Sequence, residues 1–274
     1  MMLRRPLLST AVCALLAAAV YLAAVHVPAI AEADMRTLEG FMGLWALPGA
    51  HFSLDLVHLF NPLPFAILAS VLVVWALVAD RKRAAAVALL TMVGAGVTTQ
   101  LLKPLLATQR DYPTWHWMGP EAYPSGHTTA AMSFALALVI VSSPRWRPLA
   151  AAAGGLLTVG MVFSLLVLGS HYPSDVAGGI LVATGWACLS TAALRLELSP
   201  TVRGPALAAT IVAGAGVLTV LSRPGEAFAY AAANTTFVAG ALMLFSAALV
   251  LSGSVPAPTG VRHRPRPGSP RARG

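Results

Sequence analysis

Eight apolar runs, each near the length of a bilayer span, constrain this chain more than any other feature. They lie near 7–27, 62–79, 84–102, 126–143, 149–168, 174–194, 205–222 and 228–251. A spanning helix needs about 20 predominantly apolar residues, and its backbone must satisfy its own hydrogen bonds where no water is present. Only 10% of the residues are charged, against 57% hydrophobic, and the mean hydropathy is +0.75. Soluble domains carry about a quarter charged residues. The expected fold is therefore all-α, a polytopic transmembrane helix bundle of about eight spans. The breaks make chemical sense: Asn61-Pro62 starts the second run, Asp80-Arg81-Lys82-Arg83 divides the second from the third, and Ser142-Ser143-Pro144 ends the fourth.

The basic residues set an expected orientation. With the N-terminus in the cytoplasm and one crossing per run, only Arg36, Lys103, Arg110 and Arg223 of the 18 Lys and Arg fall outside. Of the ten acids, only Asp80 and Glu197 fall inside. Cytoplasmic loops carry the excess of Lys and Arg, so both termini are expected in the cytoplasm. The net charge of +8 flanks apolar segments instead of forming an aromatic-interleaved patch, which argues against nucleic acid as a partner. Cys13 and Cys188 sit alone in apolar runs and read as small core residues. The first run, with Arg4-Arg5 before it and Ala29-Ile30-Ala31 after it, also resembles a signal peptide. Its length favours a retained helix. Residues 32–60 read as an amphipathic outside loop at the membrane interface, and the Pro-, Arg-, Gly- and Ser-rich tail from Ser252 as disordered.

Three polar clusters fall on one side of this topology. Lys103 and Arg110 follow the third run, Pro124-Ser125-Gly126-His127 opens the fourth, and His171 to Asp175 lies between the fifth and sixth. Ser125 suits a helix cap, and free N–H groups at a helix start bind anions. His127 in the first turn is placed to donate a proton to such an anion. Pro173 suits a first helical position, so Asp175 reaches back toward His171 and orients one ring nitrogen. Lys103 and Arg110 supply positive charge for phosphate oxygens. Taken singly, each cluster also fits an ordinary helix start or an interfacial cation; their convergence is what points to a site.

Lys103-x6-Arg110, Pro124-Ser125-Gly126-His127 and Ser164-x6-His171-x3-Asp175 resemble, in order and spacing, the three motifs of the type 2 phosphatidic acid phosphatase (lipid phosphate phosphatase) superfamily. The resemblance implies a six-helix phosphatase-like core. It also implies a phosphatase, without metal or other cofactor, acting on a lipid phosphate or diphosphate: phosphatidic acid, phosphatidylglycerol phosphate or a polyprenyl diphosphate. Carried over, His171 attacks phosphorus to form a phosphohistidine, Asp175 orients it, and His127 protonates the leaving oxygen and later activates water. Lys103, Arg110, Ser125 and Gly126 hold phosphate oxygens. The implied organisation is a first span with an interfacial loop (1–61), a phosphatase core (62–195), two additional spans (196–251) and a basic cytoplasmic tail (252–274). The site faces the extracytoplasmic side of a cytoplasmic membrane, and the Ala-, Arg- and Gly-rich composition points to a bacterial source.

Two positions depart from the family pattern. Asp111 follows Arg110 where a proline is usual, and Leu165 follows Ser164 where the third motif has an arginine. Losing one charge-stabilising donor costs about 2.7–4 kcal/mol of barrier, by analogy with an oxyanion-hole donor. A weakly active or inactive relative that binds lipid phosphates is thus the alternative, and a small transporter a more distant one. Transporters place ionisable groups deep within their spans, whereas here they gather at one rim. His26, His51, His58 and His116 fit no metal-ligand spacing and read as structural. Asn234-Thr235 reads as a helix start or interhelical contact.

Overall fold

The computed structural model describes residues 4–46, 52–110, 118–196 and 202–253. Within them the chain is all helix: α1 (Arg4–His26), α2 (Pro28–Met42), α3 (Phe52–Leu59), α4 (Pro62–Val78), α5 (Lys82–Leu105), α6 (Gly126–Val141), α7 (Arg147–Val167), α8 (Pro173–Ala193), α9 (Arg203–Ser222), α10 (Pro224–Ala233) and α11 (Thr235–Ser252). The fold is a polytopic helical bundle, as the apolar runs require. Asp111, His51, His116 and the tail from residue 254 lie outside the described residues.

Helix stands at each of the eight apolar runs, with differences in span length. Among the described residues, six helices are long and apolar enough to cross a membrane: α1 from Pro6, α5, α7, α8, α9 and α11. Helix α6 has 16 residues, about 24 Å at 1.5 Å per residue, short of a hydrocarbon core of about 30 Å. Helices α3 and α4 together form a seventh candidate bent by 64°. Proline opens α4, where its missing N–H costs nothing. The eighth run divides at Asn234 into α10 and α11; the Asn234 amide donates back to the Tyr230 carbonyl instead of capping α11. The stretch 32–60, read as an amphipathic loop, instead carries the end of α2 and all of α3; α2 forms because Met35, Leu38 and Phe41 recur at helical spacing and are buried.

Helix α8 lies at the centre, packed by α1, α5 and α6, with α7 against α6. Small residues allow these approaches. A Cβ at Gly154 would meet the Ala135 backbone, and one at Gly94 would strike the Trp186 ring. The late helix α11 packs on α2 and α7. It crosses α2 through a reciprocal pair of glycines: Gly40 lies under Phe237, and Gly240 under Thr37.

Candidate active site

The two histidine clusters are brought together by the starts of α6 and α8. Ser125 caps α6, its Oγ accepting from the Thr128 N–H. The N–H of Ser125 itself donates to the carbonyl of Asp175 at 2.9 Å, joining the two helix starts directly. Glycine makes the approach possible. A Cβ on Gly179 would sit 2.8 Å from the Ser125 carbonyl oxygen, and one on Gly178 would strike the Tyr123 ring.

The turn into His171 is a helix-terminating motif with a glycine in the left-handed region. Gly169 has φ +65°, its N–H donates to the Leu166 carbonyl, and the Ser170 N–H donates to the Leu165 carbonyl. The backbone of Leu165 thus helps aim His171. Its side chain is fully buried in the apolar core, so that position delivers no cation.

Lys103 and His171 line one cavity of about 390 Å³, with Ser170 and the Met118–Ala122 segment. Lys103 Nζ donates to the Glu121 carbonyl at 2.9 Å. His171, Lys103 and His58 are ionisable groups near enough to act electrostatically on His127. The Nε2 of His127 is 3.1 Å from Asn61 Oδ1, at the bend between α3 and α4.

Asp175 is fully buried and holds a looser grip on His171 than the helix start implies. Its Oδ2 is 3.5 Å from His171 Nδ1, within ion-pair reach but long for a hydrogen bond. That nitrogen is buried without a hydrogen-bond partner. Asp175 Oδ2 instead accepts from the Tyr172 N–H at 2.9 Å, and Oδ1 accepts from Arg110 Nη2 at 3.2 Å.

Arg110 is almost enclosed. Besides Asp175 it donates to Asp34 Oδ2 at 2.8 Å and Ser174 Oγ at 3.0 Å, and its guanidinium lies 4.1 Å from the Tyr172 ring centre. Asp34 also accepts from the Ser174 N–H at 2.9 Å and Oγ at 2.6 Å. Burial pushes the Asp34 carboxyl above its ordinary value, while Ser174 and Arg110 pull it back in part. Burial, helped by the Asp175 charge, also raises the Tyr123 phenol, whose hydroxyl donates to the Ala17 carbonyl.

Residues 83–198 match the family model described as the PAP2 superfamily. All of the motif residues from Lys103 to Asp175 fall inside that segment, so the resemblance to the type 2 phosphatidic acid phosphatases is met there. Among curated proteins, the chain is similar to phosphatidylglycerophosphatase B of Escherichia coli K12, of Escherichia coli O157:H7 and of Shigella flexneri. Each is 36% identical over 97 residues, covering 34% of this chain and 37% of the relative. The match thus spans little more than a third of the relatives' length. No solved structure matches the chain significantly.

Three neighbours of the site are not expected from sequence: Asp34 is not singled out there, His58 reads as structural and Asn61 as a helix start, and all lie outside the PAP2-like segment. For Asp34 a signal existed. On a helix over 28–42 it falls on one face with Leu38 and Phe41, and a carboxylate on an apolar face needs a partner.

Proposed function

We propose that the chain is a membrane phosphatase that hydrolyses a lipid phosphate or diphosphate through a phosphohistidine on His171, without a metal. The observation that carries this reading is the shared cavity of His171 and Lys103, with Asp175 behind His171 and the helix start bearing His127 bonded to Asp175 through the Ser125 N–H. His171 attacks phosphorus, and the bond from phosphorus to the lipid oxygen breaks. His127 gives that oxygen its proton. His127 then takes a proton from water as the water attacks phosphorus, the P–N bond breaks, and phosphate leaves. Lys103 and the start of α6 at Gly126 hold phosphate oxygens, Ser125 being fully buried with its N–H on Asp175 and its Oγ on Thr128, and Arg110 adds positive charge from beside Asp175.

A lipid substrate suits the surroundings. An apolar cavity of about 470 Å³ lies between α1, α5 and α8. Tyr21, Leu106 and Tyr123 line both this cavity and a polar pocket bearing Arg110 and Asp175. That pocket, of about 20 Å³, shares Met118, Gly119, Pro120 and Ala122 with the His171 cavity, so this segment stands between the apolar slot and the nucleophile. The acyl or prenyl chain enters sideways from the bilayer into the apolar slot. In this reading residues 62–195 form the phosphatase core, both termini are cytoplasmic, and the site faces the other side. Phosphatidic acid, phosphatidylglycerol phosphate and polyprenyl diphosphate are the candidate substrates.

The test is phosphate release from those three lipids, in EDTA, by the wild type and His171→Ala. Release that persists in EDTA and disappears in the variant supports the proposal; no release from any of them sinks it. The buried Leu165 and the two carboxylates on Arg110 favour a second reading, a relative that binds lipid phosphates with little turnover. Retained binding without release selects it.

A further inference from the structure

Helix α2 lies outside the PAP2-like segment, yet it delivers a carboxylate to the start of α8. Asp34 and Arg110 are both nearly enclosed, with side-chain exposures of 7% and 10%. A buried charge persists only when paired and hydrogen-bonded, and each supplies what the other lacks. Asp34 makes two further bonds, one to the Ser174 hydroxyl and one to the Ser174 N–H. That N–H is among the first-turn donors of α8 that have no partner within the helix. Asp34 therefore caps α8 from 140 residues away in sequence while gripping Arg110 through its other oxygen.

The second guanidinium nitrogen of Arg110 reaches Asp175, the carboxylate behind His171. The path is contiguous: Asp34, Arg110, Asp175, His171. The rear support is also visible, because α2 is held by α11 through the Gly40–Phe237 and Gly240–Thr37 crossings and by the Tyr230 hydroxyl on the Gly40 carbonyl.

We infer that Asp34 is a positioning residue for the proposed reaction, holding Arg110 on Asp175 and the first turn of α8 in register so that Asp175 faces His171. This rests on the phosphatase reading for its kinetic arm alone. Misplacing a reacting group by about 1 Å can cost on the order of a hundredfold. Asp34→Asn keeps the size but loses the charge and one acceptor oxygen.

The experiment uses the full chain in detergent, with phosphate release from phosphatidic acid and the imidazole ¹⁵N signals of His171, assigned through His171→Ala. Asp34→Asn lowers kcat at least about tenfold with KM within about twofold, and moves the His171 signal. Asp34→Glu restores part of both. Adding Asp34→Asn to Arg110→Ala costs little more than Arg110→Ala alone, since both act through one contact. Should Asp34→Asn not fold, Ser174→Ala, which removes one bond from the same carboxylate, shows the same changes more weakly. A wild-type kcat with an unmoved His171 signal overturns the inference. So does a gain in activity, which makes Asp34 a trap for Arg110 instead of its support. An inactive wild type whose His171 signal still responds to Asp34→Asn rejects the phosphatase and leaves the positioning intact.

Discussion

The N–H of Ser125 and the carbonyl of Asp175 meet at 2.9 Å, so two polar clusters fifty residues apart in sequence are joined by a single backbone hydrogen bond. Either helix start alone is unremarkable. Joined, they put the first turn of α6, which carries His127, beside the turn that carries His171.

That junction depends on the absence of a side chain at Gly179. In Gly179→Ala the new Cβ would stand 2.8 Å from the Ser125 carbonyl oxygen, which is backbone and cannot swing aside. Overpacking of this kind costs about 1–3 kcal/mol. Thermal unfolding in detergent should show the loss, and phosphate release should fall by more than the unfolded fraction explains. A wild-type rate in this variant would mean that the junction does not position the site.

The pH profile assigns the two imidazoles. His171 attacks only when neutral, and His127 donates only when protonated, so the rate should rise and then fall with pH. Asn61→Asp places a carboxylate on the Nε2 side of His127 and favours its imidazolium form. One limb, that of His127, should then move up by about one unit or more while the other stays in place. A flat wild-type profile, or two limbs that Asn61→Asp leaves unmoved, would remove this assignment.

Leu165 occupies the position where the resembled motif carries arginine, and its side chain is sealed in the core. Leu165→Arg buries an unpaired charge, which is strongly unfavourable. The expected outcome is a loss of folded protein by size exclusion and no gain in turnover. A folded, faster Leu165→Arg would show that the position does reach the phosphate.

The apolar slot predicts chain-dependent kinetics. Ala17→Phe narrows the cavity between α1, α5 and α8. It should raise KM several-fold for long-chain phosphatidic acid and leave a short, soluble phosphate monoester unaffected. Equal effects on both would place the lipid chain elsewhere.

The bundle was legible in sequence because apolar length and the basic breaks are local properties, and the motif residues because their order and spacing survive without coordinates. What was not legible arises from contacts across the fold. Asp34 lies 76 positions from Arg110 and 140 from Ser174, so nothing near it in sequence announces either partner. Asn61 looked like a helix start and is one, but the 64° bend between α3 and α4 also turns it to His127. Asp175 was placed on His171 by helical spacing alone. The closer claims of the Tyr172 N–H and Arg110 explain why that contact is as long as 3.5 Å. The eighth run, continuous in hydropathy, is interrupted at Asn234, whose side chain bonds back to Tyr230.

The most direct measurement is acid- and base-quenched turnover of ³²P-labelled phosphatidic acid. The wild type should carry a transient phosphoryl label that survives base and is lost in acid, and His171→Ala should carry none. A label that persists in His171→Ala, or a wild type that releases phosphate with no labelled protein at any time, would contradict nucleophilic attack by His171.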